Sequence, residues 1–411
     1  MSVKYLWLGS FQTKEIFERE NVHDIGLASG YASQKGLVSG IDALLEDGDS
    51  MDTVGINAYP AYPQYKKAIV KKIRWSRNGT SYDCLAGFVN LKYLNYVSRF
   101  FSLKHEVKKW CRLQSQEDEH IVIVYAPSVE KLQAAKRLKK VLGAKVFVIV
   151  PDIPIMVNKN ANRLIRSAKQ IAENMMKGLL ASVDGFILYS KHMAEYYGCS
   201  QGKWIVMEGV FDEKEADAAQ VQTKTESHDT IRLMYSGAIH KGRGIDKLLR
   251  AFESMRYNRI ELWFTGEGPS DDLVHAYAAK DSRIKHFGYL KTREEVLALQ
   301  SQADILLHTR DINAQSAAYC FPSKLFEYMV SEKPVLSVVI PGIPDEYFDY
   351  LLPISSLSEE GIETAIQNVL KMNPDELKER GKRAREFVLE QKTCVPQAMK
   401  MLHFINCSME K

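Results

Sequence analysis

The sequence has few of the features that mark metal-binding, disulfide-rich or membrane-spanning proteins. Its six cysteines are scattered over 411 residues without paired or metal-type spacing, which predicts reduced thiols in a cytoplasm and no structural zinc. The first ten residues have no signal-type cleavage region and are predicted to form a strand. The longest apolar run, 146–157, is interrupted by Asp152 and two prolines and is too short to span a bilayer. We therefore expect any membrane contact to be peripheral.

Charge and composition narrow the class of protein without identifying a partner. The chain has 55 Lys and Arg against 51 Asp and Glu, a net charge of +4, which is too small to indicate nucleic-acid binding by itself. No recognised nucleic-acid module accompanies the basic residues, so we expect no nucleic-acid partner. With 45% hydrophobic and 26% charged residues, the chain is typical of a globular protein of two or three domains.

Strand-like and helix-like segments alternate along the whole chain, which predicts an α/β architecture with parallel sheets. The predicted buried strands are 4–8, 53–57, 121–126, 145–150 and 185–189 in the first half, and 231–235, 260–265, 305–308 and 334–339 in the second. The polar stretch 212–230 lacks apolar periodicity and is the predicted linker. We expect two Rossmann-like domains facing each other across a cleft, with ligands beyond the carboxyl ends of their strands.

The predicted strand 231–235 is followed by a glycine-rich turn, SGAIHKGRG. In this turn Lys241 and Arg243 alternate with Gly242 and Gly244. Glycines let the backbone approach a phosphate closely, a helix start donates amide hydrogens, and the cations neutralise charge. An ordinary flexible turn with exposed charges is the alternative interpretation of this segment.

The most informative segment is YCFPSKLFEYMVSEKPVL, residues 319–336. Pro322 marks a helix start, and Glu327 falls in the first helical turn. The unsatisfied amides of such a turn can receive an anion, and a carboxylate one turn further in can bind sugar hydroxyls, which suits a nucleotide sugar. Lys324 and Glu327 are also spaced as a surface ion pair, which is the alternative interpretation.

Two further turns, TGEGP at 265–269 and HFGYL at 286–290, are weak signals individually, because tight turns commonly contain glycine. The order of the four segments is what favours function, since each follows a predicted strand of one sheet. In this order they resemble the donor-binding domain of glycosyltransferase family 4, retaining enzymes with the GT-B fold. The similarity spans most of 184–341 and includes YSGAIHKGRGIDKLLRAF, ELWFTGEGP, ADILLH and FPSKLFEYMVSEKPVLS.

The resemblance implies a role for each matching residue. It implies that Glu327 binds the donor ribose, and that the backbone of Cys320 and Phe321 contacts the donor sugar. The residues implied for the donor phosphates are Gly237, Lys241, Arg243, Ser323 and Lys324, and those implied for the nucleobase are Gly266, Tyr289 and Leu290. The resemblance implies no cofactor besides the nucleotide sugar and no essential metal.

A few positions depart from the family. Tyr319 stands where the family usually has a second Glu touching the transferred sugar, and Ala238 where it usually has an Arg, whose charge Lys241 could supply. Asp152 stands where many relatives have a His near the reacting sugar, so Asp152 and Tyr319 are the candidate catalytic residues. A simple turn Asp is the alternative interpretation of Asp152. The segment 28–36, ASGYASQKG, resembles the family's acceptor-side glycine loop before a helix.

Two segments of the first half mix cations with aromatic and aliphatic residues, KKAIVKKIRW at 66–75 and FVNLKYLNYVSRFFSLKHEVKKW at 88–110. Such amphipathic surfaces bind anionic membranes. The competing interpretation is that the apolar residues face the core and the lysines face water. We favour the core for the apolar residues and leave peripheral membrane contact open for the cations.

These features predict an acceptor-binding domain at 1–211, a linker at 212–230, a donor-binding domain at 231–390 and, at 391–411, a C-terminal helix that packs back on the N-terminal domain. The predicted function is transfer of a sugar from a nucleoside diphosphate sugar to a glycan or lipid-linked glycan, with retention, in bacterial surface polysaccharide synthesis. The predicted location is the cytoplasm, with association to the inner face of the membrane left open. A GT-B nucleotide-sugar epimerase and a non-catalytic partner subunit are the alternatives.

Overall fold

The computed structural model describes residues 2–20, 25–153, 163–216, 229–312 and 317–409. The chain forms two compact units: unit 1 comprises Met1–Val210 with Cys394–Lys411, and unit 2 comprises Phe211–Thr393. Each unit alternates strands and helices around a parallel sheet, so the predicted α/β class with two Rossmann-like parts is confirmed. Most of the predicted linker, at 217–228, lies outside the described residues.

The strands of unit 1 form one large sheet and one small pair. They are β1 (Val3–Gly9), β2 (Ser50–Gly55), β3 (Ile69–Val70), β4 (Ile73–Trp75), β5 (Asp83–Leu85), β6 (Phe88–Val89), β7 (Glu119–Tyr125), β8 (Lys145–Val150), β9 (Gly185–Leu188) and β10 (Trp204–Val206). The large sheet has the order β10-β9-β8-β7-β1-β2-β5-β4 and is parallel except for the β4–β5 pair at its edge. Strand β3 pairs with β6 separately and antiparallel. The central strands are buried along most of their length, which explains their continuous apolar sequences.

The strands of unit 2 form a single parallel sheet. They are β11 (Ile231–Ser236), β12 (Ile260–Thr265), β13 (Ile284–His286), β14 (Ile305–His308), β15 (Val335–Val338) and β16 (Leu352–Ile354). The spatial order is β13-β12-β11-β14-β15-β16. The chain therefore moves outward from β11 in one direction and returns to lay β14 on its other side. In a doubly wound sheet such a reversal opens a ligand crevice at the carboxyl ends of the two strands.

Helices connect the strands in both units. They are α1 (Lys14–Glu20), α2 (Ile25–Asp42), α3 (Leu94–Cys111), α4 (Val129–Leu142), α5 (Arg163–Leu180), α6 (His192–Tyr197), α7 (Ile245–Ser254), α8 (Asp271–Ala278), α9 (Arg293–Gln302), α10 (Lys324–Val330), α11 (Glu359–Leu370), α12 (Pro374–Gln391) and α13 (Cys394–Met409). Helix α7 buries the face predicted from its apolar spacing, with Leu248, Leu249 and Phe252 fully inside. Along the described residues, no helix combines the length and apolar character needed to cross a membrane.

Helix α2 contradicts the prediction of a glycine loop at 28–36. The segment is helical throughout, so it does not present a turn of backbone amides to a ligand. Its glycines instead permit close packing: a Cβ atom on Gly36 would lie 2.8 Å from Val210 Cγ1, and one on Gly40 only 2.2 Å from the carbonyl oxygen of Cys394. The small residues at 28–36 suggested an acceptor-side glycine loop because a tight loop and a closely packed helix both require residues with little or no side chain.

Helix α3 contradicts part of the prediction that the apolar residues of 88–110 face the core. Its inner face buries Leu103, Val107 and Trp110. A second apolar stripe at the start of the helix faces water, with Leu94 and Val97 each 56% exposed. Only one face of the helix can pack on the sheet. The apolar residues on its opposite face are therefore exposed to solvent within unit 1.

Helix α13 returns to unit 1 and packs against α2 and β9. Glycines again allow the approach, since a Cβ atom on Gly185 would lie 2.9 Å from the Phe404 ring. The Phe404 and Phe147 rings meet edge to face with centroids 6.0 Å apart. The Gln397 amide donates to the carbonyl of Gly209 at 2.7 Å in the interior. The C-terminal helix is therefore an integral part of the core of unit 1.

Candidate functional site

The loops after β11 and β14 meet at the reversal point of the unit 2 sheet. The first loop contains a short 3-10 helix, Lys241–Arg243. The Thr309 hydroxyl donates to the carbonyl of Arg243 at 2.7 Å, and the amide of Asp311 donates to the carbonyl of Gly242 at 3.0 Å. These two bonds fix the first loop on the loop after β14. In the loop so fixed, Arg243 is half-buried and Lys241 is exposed.

The loops after β12 and β13 join the first loop from the other side. The amide of Gly237 donates to the carbonyl of Thr265 at 2.9 Å, and the amide of Gly266 donates to that of Gly288 at the same distance. Gly266 has a φ of +128°, and a Cβ atom there would lie 2.0 Å from the carbonyl oxygen of Gly237. Glycine is required at this contact for both conformation and space. Beyond it, the Tyr289 side chain is 63% exposed.

Helix α10 is tied to the end of β11 by Tyr328. The side chain is fully buried, and its hydroxyl both accepts from the amide of Ser236 and donates to the carbonyl of Ser236, each at 3.1 Å. Two hydrogen bonds to one residue fix the orientation of the short helix. Glu327 and Lys324, on the same helix, are thereby held beside the first loop.

Glu327 lies among polar and cationic neighbours. Its Oε1 atom accepts from the Gln300 amide at 2.9 Å and lies 3.8 Å from Lys324 Nζ, and its Oε2 atom lies 3.8 Å from Arg293 Nη2. Both ion-pair distances are long, and 22% of the Glu327 side chain is exposed. The surface ion pair considered for Lys324 and Glu327 is thus a loose contact, and the carboxylate keeps capacity to accept further hydrogen bonds.

Arg293 owes its position to the start of helix α9. The Thr292 hydroxyl accepts from the amide of Glu295 at 3.2 Å, while the Glu295 carboxylate accepts from the amide of Thr292 at 3.1 Å. This capping box fixes the first turn of the helix. Arg293 is the first residue of that turn, and its Nη1 atom also lies 2.7 Å from Glu215 Oε2.

At this edge of the sheet, burial and neighbouring positive charges together lower the pKa values of His308 and Lys324. Burial, reinforced by the charges of Arg243 and Arg310, lowers the pKa of His308 to about 3. Burial, with Arg293 and Arg243 acting in the same direction against Glu327, also lowers the pKa of Lys324, although 36% of that side chain is exposed. Burial is the larger cause of both shifts, and the contributions of Arg243, Arg293 and Arg310 show that several cations lie close together at this edge.

Because its pKa is lowered to about 3, the His308 imidazole is neutral at pH 7. Its Nδ1 atom lies 2.9 Å from the hydroxyl of Ser337 on the neighbouring strand. Its Nε2 atom is buried and has no hydrogen-bond partner among the described residues. Buried polar atoms are usually paired in folded proteins, so this atom is a candidate contact for a bound molecule.

The loop that leads into α10 carries the remaining predicted residues of unit 2. Phe321 is 5% exposed, and its ring packs 5.0 Å from both Phe326 and Tyr347, so its side chain belongs to the core and only its backbone can face a ligand. A Cβ atom on Gly342 would lie 2.5 Å from the carbonyl oxygen of Cys320. Ser323 is exposed, Cys320 and Tyr319 are partly buried, and Leu290 packs at the edge of the core.

Asp152 belongs to unit 1, where it follows strand β8 and is exposed. Burial, with smaller contributions from Tyr189 and from the charge of Asp152, raises the pKa of Tyr125 well above its usual value. Asp152 therefore lies near two buried tyrosines at the carboxyl ends of β7 and β9. The Tyr189 hydroxyl also lies 3.4 Å from that of Ser33.

Four residues that build the candidate site of unit 2 were not predicted from the sequence. Arg310 could have been found, because it comes two residues after a predicted strand that ends at the reversal point. Tyr328 and Gln300 gave no signal, since an aromatic or amide residue inside an apolar helix pattern is usually part of the core. Arg293 could have been placed from the capping-box spacing of Thr292 and Glu295.

Comparison with known proteins finds a family that matches the segment containing these loops. Residues 230–371 match the family model "Glycosyl transferases group 1". That segment contains every unit 2 site residue described above except Glu215. It lies wholly in unit 2 and supports the resemblance of this unit to group 1 glycosyltransferases, without distinguishing family 4 among them.

Among curated proteins, a probable glycosyltransferase, WbjE of Pseudomonas aeruginosa, is 27% identical over 110 residues. This alignment covers 26% of the present chain and 27% of WbjE. The match thus spans about a quarter of the length of that relative.

Solved structures resemble the chain over nearly its whole length. Sucrose-phosphate synthase from Thermosynechococcus elongatus has a TM-score of 0.61 at 15% identity, covering 99% of both chains. HepE from Anabaena, solved in complex with UDP, has a TM-score of 0.57 at 13% identity, covering 98% of this chain and all of that one. At these identities the likeness shows a shared fold, and that fold is GT-B, as predicted.

Proposed function

We propose that the protein is a glycosyltransferase whose donor is a nucleoside diphosphate sugar. The observation that carries this proposal is the arrangement at the reversal point of unit 2, where Arg243 and Arg310 act on His308, Arg243 also acts on Lys324, and Lys324 lies 3.8 Å from the carboxylate of Glu327. Cations held in this way neutralise a diphosphate through charge-assisted hydrogen bonds. A carboxylate with spare acceptor capacity suits the two hydroxyls of a ribose. The group 1 match over the same residues supports this assignment.

In the proposed reaction, the bond between the anomeric carbon and the diphosphate oxygen breaks, and its electron pair stays on the leaving diphosphate. The acceptor hydroxyl forms the new bond to the anomeric carbon, and its proton passes to the leaving diphosphate. Arg243 and Lys241 stabilise the charge that develops on the leaving group, because the fixed first loop holds them in place before the reaction. We propose retention of configuration and no essential metal, as the family resemblance implies.

The transferred sugar presents hydroxyl groups, which neutral polar atoms can bind. We propose that His308 Nε2, buried and without a partner among the described residues, makes one such hydrogen bond. The backbone of Cys320 and Phe321 and the side chain of Tyr319 are proposed as further contacts. Asp152 is retained as the proposed unit 1 residue at the reacting sugar. Gly266, Tyr289 and Leu290 are proposed to flank the nucleobase.

We propose a hydroxyl of a glycan or a lipid-linked glycan as the acceptor, in the synthesis of a bacterial surface polysaccharide. Peripheral contact between unit 1 and an anionic membrane is part of this proposal. The exposed apolar stripe of α3, with lysines close to it in sequence, supports the membrane contact.

Titration calorimetry with UDP and GDP tests the donor site directly. We expect one of the two nucleotides to bind, and Arg243→Ala or Glu327→Ala to weaken that binding by about 10- to 150-fold, because a hydrogen bond to a charged group contributes about 1.5–3 kcal/mol. Lys378→Ala, on the exposed face of α12, is the matched control and should bind as the unchanged protein does.

Failure to bind either nucleotide would favour the non-catalytic partner subunit instead. Normal binding by Arg243→Ala and Glu327→Ala would show that the ligand lies elsewhere. A panel of nucleotide sugars screened by thermal stabilisation then identifies the sugar, because a ligand of the folded state raises the melting temperature.

A further inference from the structure

Arg293, at the start of helix α9, lies between two carboxylates of unit 2. Its Nη1 atom is 2.7 Å from Glu215 Oε2, whereas its Nη2 atom is 3.8 Å from Glu327 Oε2. A hydrogen-bonded pair between an arginine and a carboxylate usually has a distance of about 2.7–2.9 Å. Arg293 therefore makes a close ion pair with Glu215 and only a loose contact with Glu327, the carboxylate proposed to bind the donor ribose.

Arg293 has unused capacity to pair more closely with Glu327. Its Nε atom is buried and has no hydrogen-bond partner among the described residues. Nε and Nη2 share one edge of the planar guanidinium group, and arginine commonly presents two such donors to a carboxylate in parallel hydrogen bonds. A small movement of this edge toward Glu327 would form such a pair and would give the buried Nε atom the acceptor that it lacks.

Glu215 lies in the segment 211–216, with which the chain enters unit 2. The amide of Phe211 donates to the carbonyl of Lys392 at 2.8 Å, and the side chains of Phe211 and Ala216 are buried in the core of unit 2. The segment is thus anchored on both sides of Glu215. Its carboxylate therefore holds Arg293 from a fixed position, which a charge on an unattached loop could not do.

A close pair with Arg293 would occupy the part of Glu327 that is still able to bind a ligand. The Oε1 atom of Glu327 already accepts from the Gln300 amide at 2.9 Å. Its Oε2 atom makes only the loose 3.8 Å contact with Arg293, so it retains capacity to accept a hydrogen bond from a hydroxyl group. Two parallel hydrogen bonds from the guanidinium would use this capacity and would turn the carboxylate toward Arg293.

We propose that Glu215 is a positioning residue of the donor site, which holds Arg293 away from Glu327 and so keeps the Glu327 carboxylate available to the ribose of the nucleotide. The inference rests on the proposed function, in which Glu327 binds that ribose. Glu215 and Arg293 do not contact the nucleotide themselves, and both act through Glu327. Loss of Glu215 should therefore weaken nucleotide binding only as long as Arg293 is present to close on Glu327.

Titration calorimetry of a double-mutant cycle with UDP and GDP tests this dependence on the full chain. Glu215→Ala should weaken binding of the nucleotide by about 10-fold, which corresponds to about 1.4 kcal/mol and is usual for residues coupled in one ion-pair network. Arg293→Met keeps an apolar stem and should change the affinity by no more than about 3-fold, because a loose contact contributes little. In the Arg293→Met background, Glu215→Ala should have no further effect.

Glu213→Ala is the matched control, because it removes the same charge from an exposed position on the same segment and should bind as the unchanged protein does. A loss caused by Glu215→Ala that persists in the Arg293→Met background would overturn the inference, since Glu215 would then contact the nucleotide or merely support the fold. A loss of 10-fold or more from Arg293→Met alone would also overturn it, by showing that Arg293 binds the nucleotide itself.

A crystal structure of Glu215→Ala without nucleotide provides a second test that does not depend on affinity. We expect the Nε and Nη2 atoms of Arg293 to lie within about 3 Å of the Glu327 carboxylate. If Arg293 instead remains as far from Glu327 as the present 3.8 Å, the positioning role of Glu215 is wrong.

Glu327→Ala, measured in the same calorimetric assay, separates this inference from the proposed function. If neither nucleotide binds, or if Glu327→Ala binds normally, the assignment of the donor site fails and the positioning role fails with it. If Glu327→Ala weakens binding whereas Glu215→Ala does not, the donor site stands and only the positioning role is refuted.

Discussion

Removal of one hydroxyl group at Tyr328 should loosen the junction between helix α10 and the sheet. In Tyr328→Phe, the amide and carbonyl of Ser236 both lose their 3.1 Å partner inside the core. An unpaired buried polar group costs about 1–3 kcal/mol; at about 1–2 kcal/mol for each of the two Ser236 groups, the unfolding free energy of unit 2 should fall by about 2–4 kcal/mol. Tyr235→Phe is the matched control, because that hydroxyl makes one bond, to the carbonyl of Ala238 at 2.9 Å.

Hydrogen exchange followed by mass spectrometry measures this effect in unit 2 alone, which a global melting curve would not. Protected amides of β11 should exchange about 30- to 900-fold faster in Tyr328→Phe, which corresponds to the expected 2–4 kcal/mol. Tyr235→Phe should cost about 1 kcal/mol. Exchange in β11 that is unchanged, or no faster than in the control, would refute the role given to the Tyr328 hydroxyl.

Three further predictions concern close contacts and acid stability. Gly266→Ala should cost about 1–3 kcal/mol, because alanine is strained at φ +128° and its Cβ atom would clash at 2.0 Å; thermal melting that matches the unchanged protein would contradict this. Gly40→Leu should destabilise unit 1 by about 1–3 kcal/mol, because the added side chain would clash with the backbone of Cys394. Urea unfolding measures this loss, and an unchanged midpoint would contradict the contact. His308 has a pKa of about 3 when folded and takes up a proton near 6.5 when unfolded, so the unfolded state binds more protons and stability falls as the pH falls below 6.5. His308→Gln should remove about 2 kcal/mol of the loss between pH 7 and pH 5, whereas the exposed His105→Gln should not; equal loss in both variants would contradict the buried neutral state.

The strands were predictable because burial on both faces leaves a simple signal in the sequence. Lys145–Val150 and Ile260–Thr265 were predicted to the residue, since runs of branched and aromatic residues end where the chain leaves the sheet. The order of loops around the candidate site followed from the same strands. The fold and the place of the candidate site were therefore accessible from local patterns.

The errors arose where a pattern has two physical causes. Small residues at 28–36 can mean a tight loop or a packed helix, and only the position of Cys394, far away in sequence, decides between them. Apolar residues at 93–101 can be core or exposed surface, because periodicity alone cannot tell which of two faces the sheet will cover. Tyr328 illustrates a third case, in which the decisive partner is a backbone group 92 residues away.

Unit 1 is built from two separated stretches of sequence, and this determines the order in which the two units can complete their folding during synthesis. Everything that unit 2 needs has left the ribosome once Thr393 emerges, whereas unit 1 still lacks the side chains of Met401, Phe404 and Ile405. The half that is translated first is therefore completed last. A chain truncated after Thr393 would contain a complete unit 2, whereas unit 1 would lack α13 and expose the surface around Gly40 and Gly185 that this helix covers.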